Sequence, residues 1–99
     1  MAFTIVLDPG AMQDIQQAID YYEEQQPGLG KQFEGALNQY LLKIEQNPFF
    51  QVRYDDVHCL PVKKYPYMIH YTIDEGEQLI IVRAVFNTFR NPKSWKVRS

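Results

Sequence analysis

Two β-prone runs separated by a short charged turn do most to restrict how this chain can fold. Tyr67 to Ile73 is rich in aromatic and β-branched residues, and Gln78 to Phe86 is almost continuously apolar, broken by Arg83. Between them Asp74-Glu75-Gly76-Glu77 supplies a glycine for positive φ and charges that stay in water, the chemistry of an antiparallel hairpin. A shorter run, His58 to Lys63, reads as a third strand. Pro61 cannot donate to a ladder, which makes that strand short or places it at an edge. Strict alternation puts Ile80, Val82, Ala84 and Phe86 on the face that meets the rest of the core. Arg83 then belongs to the open face, beside Met68 and His70 of the middle strand. Tyr65, Tyr67 and Tyr71 alternate along the same region and are expected in part to pack inward.

The cover for this sheet comes from the first half of the chain. Phe3 to Leu7 is a short β-prone run, after which Asp8 offers an N-cap with Pro9 at the first helical position. Apolar residues then fall at Met12, Ile15, Ala18, Ile19 and Tyr22, a helical stripe that Pro27-Gly28 interrupts. A second stripe carries Leu29, Phe33, Ala36, Leu37, Tyr40, Leu41 and Ile44 and stops at Asn47-Pro48. The short break makes the two helices an antiparallel hairpin. The expected fold is therefore α+β: an N-terminal strand and a helical hairpin packed on one face of a three- to four-stranded, largely antiparallel sheet, with a basic C-terminal tail. Residues 1–99 are expected to form one domain.

Charge is divided unequally. Residues 1–50 hold two lysines against seven acidic residues, whereas residues 51–99 hold eight basic against five acidic ones. Such asymmetry fits two halves that face different partners. The basic excess gathers late, in Arg90, Lys93, Lys96 and Arg98 around Trp95, a composition suited to anchoring a partner. No apolar run approaches the about 20 residues that span a bilayer, and the N-terminus lacks the pattern of a signal peptide. Cys59 is the sole cysteine, so no internal disulfide forms; a cytoplasmic setting is expected, with no membrane partner.

Several chemistries find no support in the residues. His58 and His70 have no carboxylate or cysteine at a recognised ligand spacing, so no metal is expected. Gly28-Leu29-Gly30-Lys31 lacks the full phosphate-loop pattern and reads as a turn. No serine lies in a nucleophile-elbow sequence, and Cys59 has no evident base partner. No cofactor is expected. The acidic pairs Glu23-Glu24 and Asp55-Asp56 read as solvated surface.

With this order of elements, the segment Lys64-Tyr65-Pro66-Tyr67-Met68-Ile69-His70-Tyr71 and the tail carrying Arg90, Pro92, Trp95 and Arg98, the chain resembles the RelE/ParE superfamily of toxins from type II toxin–antitoxin modules. That resemblance covers nearly all of it. It implies a compact, growth-inhibiting toxin of a plasmid-stabilisation type, held inactive by a cognate antitoxin whose tail wraps it. The implied assemblies are a homodimer or a heterotetramer with antitoxin.

One branch of that superfamily cleaves messenger RNA in the ribosome and the other poisons DNA gyrase. In the first, cationic side chains on the open sheet face hold the scissile phosphate and stabilise developing charge. The positions where that branch has arginines fall here on Met68 and near Thr88, and its late tyrosine falls near Ser94 or Trp95. Lys63 and Lys64 do stand where it has lysines. With Arg90 they are the candidate catalytic residues, if the chain is an enzyme at all. A sequence pI of about 5.6 also gives little long-range attraction to a phosphate lattice. The ParE-like reading is therefore favoured: a protein that binds and inhibits a target such as DNA gyrase, with Arg83, Arg90, Lys93, Trp95, Lys96 and Arg98 as candidate partner- or target-binding residues. The runner-up is a ribosome-dependent mRNA endonuclease with an atypical active site.

Overall fold

Asp8 fixes the point where strand gives way to helix. In the computed structural model, which describes residues 3–50 and 52–88, the Asp8 carboxylate accepts a hydrogen bond from the Gly10 backbone N–H at 3.0 Å. Pro9 occupies the first helical position, where a missing N–H costs nothing. The chain forms β1 (Thr4–Leu7), α1 (Pro9–Gln25), α2 (Leu29–Gln46), β2 (Val52–Tyr54), β3 (Val57–Val62), β4 (Tyr67–Asp74) and β5 (Leu79–Asn87). The strands make one sheet in the order β1-β5-β4-β3-β2. β1 runs parallel to β5, and the remaining pairs are antiparallel. The α+β architecture is the expected one, with a fifth strand added. That strand, β2, has three residues and turns into β3 through the exposed Asp55-Asp56, where Asp55 takes φ 48°. The acidic pair is thus a hairpin turn.

Glu23 proves to be more than solvated surface. Gly28, with φ 90°, precedes α2 and has no side chain to cap it. The Glu23 carboxylate reaches over from α1 and accepts from the Gly28 N–H at 2.9 Å and from the Gly30 N–H at 3.1 Å. An anion is thereby placed on the orphan donors at the positive end of α2. Gly30 lets the helices close: a Cβ there would lie 2.6 Å from the Ile19 carbonyl oxygen.

The alternation expected for β5 holds only halfway. His70 pairs with Ala84 but Tyr71 pairs with Val82, so Arg83 is an extra residue in β5 opposite the His70–Tyr71 step. A one-residue slip exchanges faces. Ile80 and Val82 face the helices as expected. Beyond the bulge Val85 takes that role, whereas Ala84 and Phe86 lie on the opposite face with Met68 and His70. Asp8 N–H donates to the Val82 carbonyl at 2.9 Å as β1 ends. Past that point α1 supplies the partner, the Asp14 carboxylate accepting from the Val85 N–H at 3.1 Å. The β4–β5 turn also differs in detail. Positive φ falls on Gln78, at 56°, and not on Gly76, while the Asp74 carboxylate accepts from the Glu77 N–H at 3.1 Å.

Ala11, Ala18, Phe33, Leu37 and Ile44 from the helices meet Ile69, Tyr71, Ile80, Val82 and Val85 from the sheet. Ala11, not Met12, occupies the buried flank of α1; Met12 is exposed. Tyr22, Phe33, Tyr65 and Tyr67 cluster with ring centroids 5.1–6.2 Å apart. Tyr71 is fully buried, stacks on His58, and donates from its hydroxyl to the Pro48 carbonyl at 2.8 Å. That bond ties the segment after α2 to the middle of the sheet. Burial pushes the Tyr71 phenol up to about 12, the Phe50 backbone opposing.

Two outcomes follow from these contacts. Gly30→Ala should destabilise the fold by about 1–3 kcal/mol through overpacking, and Glu23→Ala by about 1 kcal/mol through loss of the cap. Both are measurable by urea titration, and a silent Gly30→Ala would refute the close approach. For Tyr71, the unfolded phenol ionises from pH 10 while the folded one keeps its proton to about 12. Its stabilising contribution is therefore present below pH 10 and fades as pH rises, by up to about 3 kcal/mol. The stability gap between wild type and Tyr71→Phe should narrow from pH 9 to 11.5; parallel curves would contradict this.

Candidate functional site

The β3–β4 connection brings Lys63 and Lys64 together, both exposed. Lys64 takes φ 75°, a left-handed turn conformation. Lys63 N–H donates to the Tyr40 hydroxyl at 3.3 Å, which fastens the turn to α2. On α2 the Lys43 ammonium stands 5.3 Å from the centroid of the Tyr40 ring, in cation–π range. The three lysines share an open groove of about 580 Å³ between α2 and the turn. Lys43 was missed by sequence reasoning, which named no candidate site residue in the acidic half. Twenty residues separate it from Lys63, and no local pattern links them.

Arg83 sits at the bulge and is engaged within the chain. Its Nε donates to the Thr72 hydroxyl at 3.1 Å, and a terminal nitrogen donates to the second Asp8 carboxylate oxygen at 3.4 Å. Asp8 therefore caps α1 with one oxygen and meets Arg83 with the other. Both side chains are about one-third exposed (34% and 33%), so the ion pair contributes at most about 1 kcal/mol. Arg90, Lys93, Trp95, Lys96 and Arg98 lie outside the described residues, and only Lys63, Lys64 and Arg83 of the candidate set are placed. Lys63 and Lys64 adjoin one another, while Arg83 is tied to the β1–α1 junction.

Among the described residues, the part of the sheet face away from the helices formed by β3, β4 and the end of β5 is mostly apolar and buried. Val57, Cys59 and Met68 form a second buried cluster there, and His70, Ala84 and Phe86 are buried on the same face. Met68 and His70 thus lie on the expected face but not in the open. Cys59 does have a nearby base: its sulfur is 3.5 Å from His70 Nδ1. Both are buried, Cys59 at 6% and His70 at 0% exposure, which withholds the pair from a substrate. His58 belongs to the other face, its Nδ1 against the Phe50 carbonyl. Among the described residues no three His, Cys, Asp or Glu side chains gather as metal ligands. No described helix is long and apolar enough to cross a membrane.

Exposed apolar side chains occur at the β1 edge of the sheet and on α2. β1 ends the sheet, and Val6 on it is 43% exposed. Beside it a shallow groove of about 270 Å³ is lined by Ile5, Leu41 and Leu42, the last 57% exposed. A second groove, of about 380 Å³, runs between α1 and the end of β5, with Tyr21, Tyr67 and Val85 in its walls.

This arrangement of elements has counterparts in solved structures. The chain is similar over 86% of its length to 95% of a chain of the chromosomal ParDE toxin–antitoxin system from P. aeruginosa, with a TM-score of 0.76 at 11% identity. It matches all of a chain in the intact E. coli RelBE toxin–antitoxin complex over 90% of its own length, with a TM-score of 0.70 at 16% identity. A chain of the RelBE2 toxin–antitoxin complex from Mycobacterium tuberculosis is covered to 99% by 88% of this one, with a TM-score of 0.64 at 13% identity. At these identities the likeness concerns the fold. No curated protein matches the chain. Residues 5–92, however, match the family described as the ParE toxin of the type II toxin–antitoxin system parDE, and the chain belongs to that family.

Proposed function

We propose that this toxin acts in the cytoplasm by binding and inhibiting a target such as DNA gyrase, not by cutting RNA, and that a cognate antitoxin holds it inactive. The observation that carries this reading is the character of the sheet face turned away from the helices. RNA cleavage of the type weighed from the sequence requires cationic groups on that face, aimed at the charge that develops on a phosphate. Met68, His70, Ala84 and Phe86 stand there instead, all buried. Arg83 is drawn toward Asp8, and Lys63 and Lys64 belong to a groove on α2. The late cluster of Arg90, Lys93, Trp95, Lys96 and Arg98 is the proposed target contact, since inserted tryptophan and arginine side chains dominate binding energy.

For the antitoxin, the outer edge of β1, unpaired among the described residues, and the neighbouring Ile5–Leu41–Leu42 groove supply what an extended segment needs: strand backbone and adjacent apolar pockets. The complexes formed by the structurally similar toxins support a partner of this kind. Native-state binding by such a partner would stabilise the toxin by mass action.

The purified protein should inhibit DNA supercoiling by gyrase while leaving mRNA intact in a translating extract, and the product of the adjacent reading frame should relieve the inhibition and raise the melting temperature. Codon-dependent cleavage lost in Lys63→Ala or Arg90→Ala would replace this reading with the endonuclease. In the inhibitory case Trp95→Ala should weaken growth arrest at unchanged melting temperature. Arrest unaffected by loss of both Trp95 and Arg90 would remove the tail from the target contact.

A further inference from the structure

Gly35 lies in the interior of α2, where glycine is among the poorest helix formers. Unlike Gly30, it is not needed for packing: a Cβ added there would meet nothing within 4 Å. It would instead stand in the floor of the groove between α2 and the β3–β4 turn, beside Ala36. A bare helix floor costs helix propensity and leaves room for a close-lying backbone. Lys43, Lys63 and Lys64 line the same groove, with no acidic side chain among the described residues of its lining. This is a local cationic trough on a protein of net charge −2.

From these features we infer that the groove docks an extended acidic peptide segment of a protein partner. The lysine ammonium groups pair with its carboxylates. Gln32 and Gln39 stand two turns apart along the groove, and each amide carries both a donor and acceptors, as a peptide backbone requires. The phosphates of a nucleic-acid backbone only accept, a poorer match to these amides than a peptide main chain with its alternating donors and acceptors. Small residues at the floor admit the peptide main chain, and Tyr40 and Tyr65 at the walls cover its aliphatic portions. The site is separate from the β1 edge: Asn38, Leu41, Leu42 and Glu45 face that side of α2. The inference goes beyond the proposed toxin action and does not depend on which target the toxin meets.

Fluorescence anisotropy tests this with three labelled probes added to the full chain: a short peptide of alternating glutamate and alanine, its glutamine counterpart, and an oligouridylate of equal length. The glutamate peptide should bind about tenfold tighter than the glutamine one and weaken as salt rises. The triple variant Lys43→Ala, Lys63→Ala, Lys64→Ala should lose that advantage. Gly35→Leu should block the floor and weaken binding about tenfold while the melting temperature stays level or rises, since leucine is the better helix former. Equal binding of the two peptides, no binding of either, or full affinity in Gly35→Leu would overturn the inference. Tighter binding of the oligouridylate through the same lysines would overturn it in favour of a nucleic-acid site.

Discussion

The one-residue bulge at Arg83 governs how this sheet distributes its side chains. Before it, Ile80 and Val82 face the helices; after it, Val85 does, and Ala84 and Phe86 join Met68 and His70 on the other side. The extra residue would leave the surrounding backbone and a guanidinium unsupported, and two aspartates from α1 and its cap answer this. Asp14 takes the Val85 N–H, and Asp8 divides its oxygens between the start of α1 and Arg83. The bulge, the end of β1 and the entry to α1 are consequently one polar junction. Without the slip, Ala84 and Phe86 would stay on the helical side and the outer face would lose the apolar character that argues against phosphate chemistry.

The helical hairpin gives the molecule its separate surfaces. Glu23 and Gly30 hold α2 tightly against α1, and α2 then presents two flanks. One carries Leu41 and Leu42 toward the edge strand β1; the other carries Lys43, Gly35 and the glutamines toward the β3–β4 turn. An apolar shelf beside the edge strand β1 and a cationic trough with a bare floor suit segments of different composition. Such a division leaves one surface available when another is occupied.

Much of this was legible in the residues. The periodicity of the two stripes, the Asp8-Pro9 start, the Asn47-Pro48 stop and the hairpin around residues 74–77 all correspond to observed elements, since each is a local signal. What escaped were features decided by distant partners. Nothing near Arg83 announces a bulge: its alternation continues unbroken in sequence, and the slip becomes visible only opposite His70 and Tyr71. Glu23 looks like one of two solvated acids until α2 folds back to place Gly28 and Gly30 against it. Lys43 gains meaning only once the turn at Lys63 is brought across Tyr40. β2 is three residues long, too short for alternation to register.

The central claim is that Arg83, a candidate contact by sequence, supports the architecture through Thr72 and Asp8. A double-mutant cycle between Asp8→Ala and Arg83→Ala, read in parallel by urea unfolding and by growth arrest, tests it most directly. The account predicts destabilisation by each variant, a coupling of about 0.5–1 kcal/mol between them, and growth arrest that declines only with the folded fraction. Arrest abolished by Arg83→Ala at undiminished stability, with no coupling to Asp8, would contradict it.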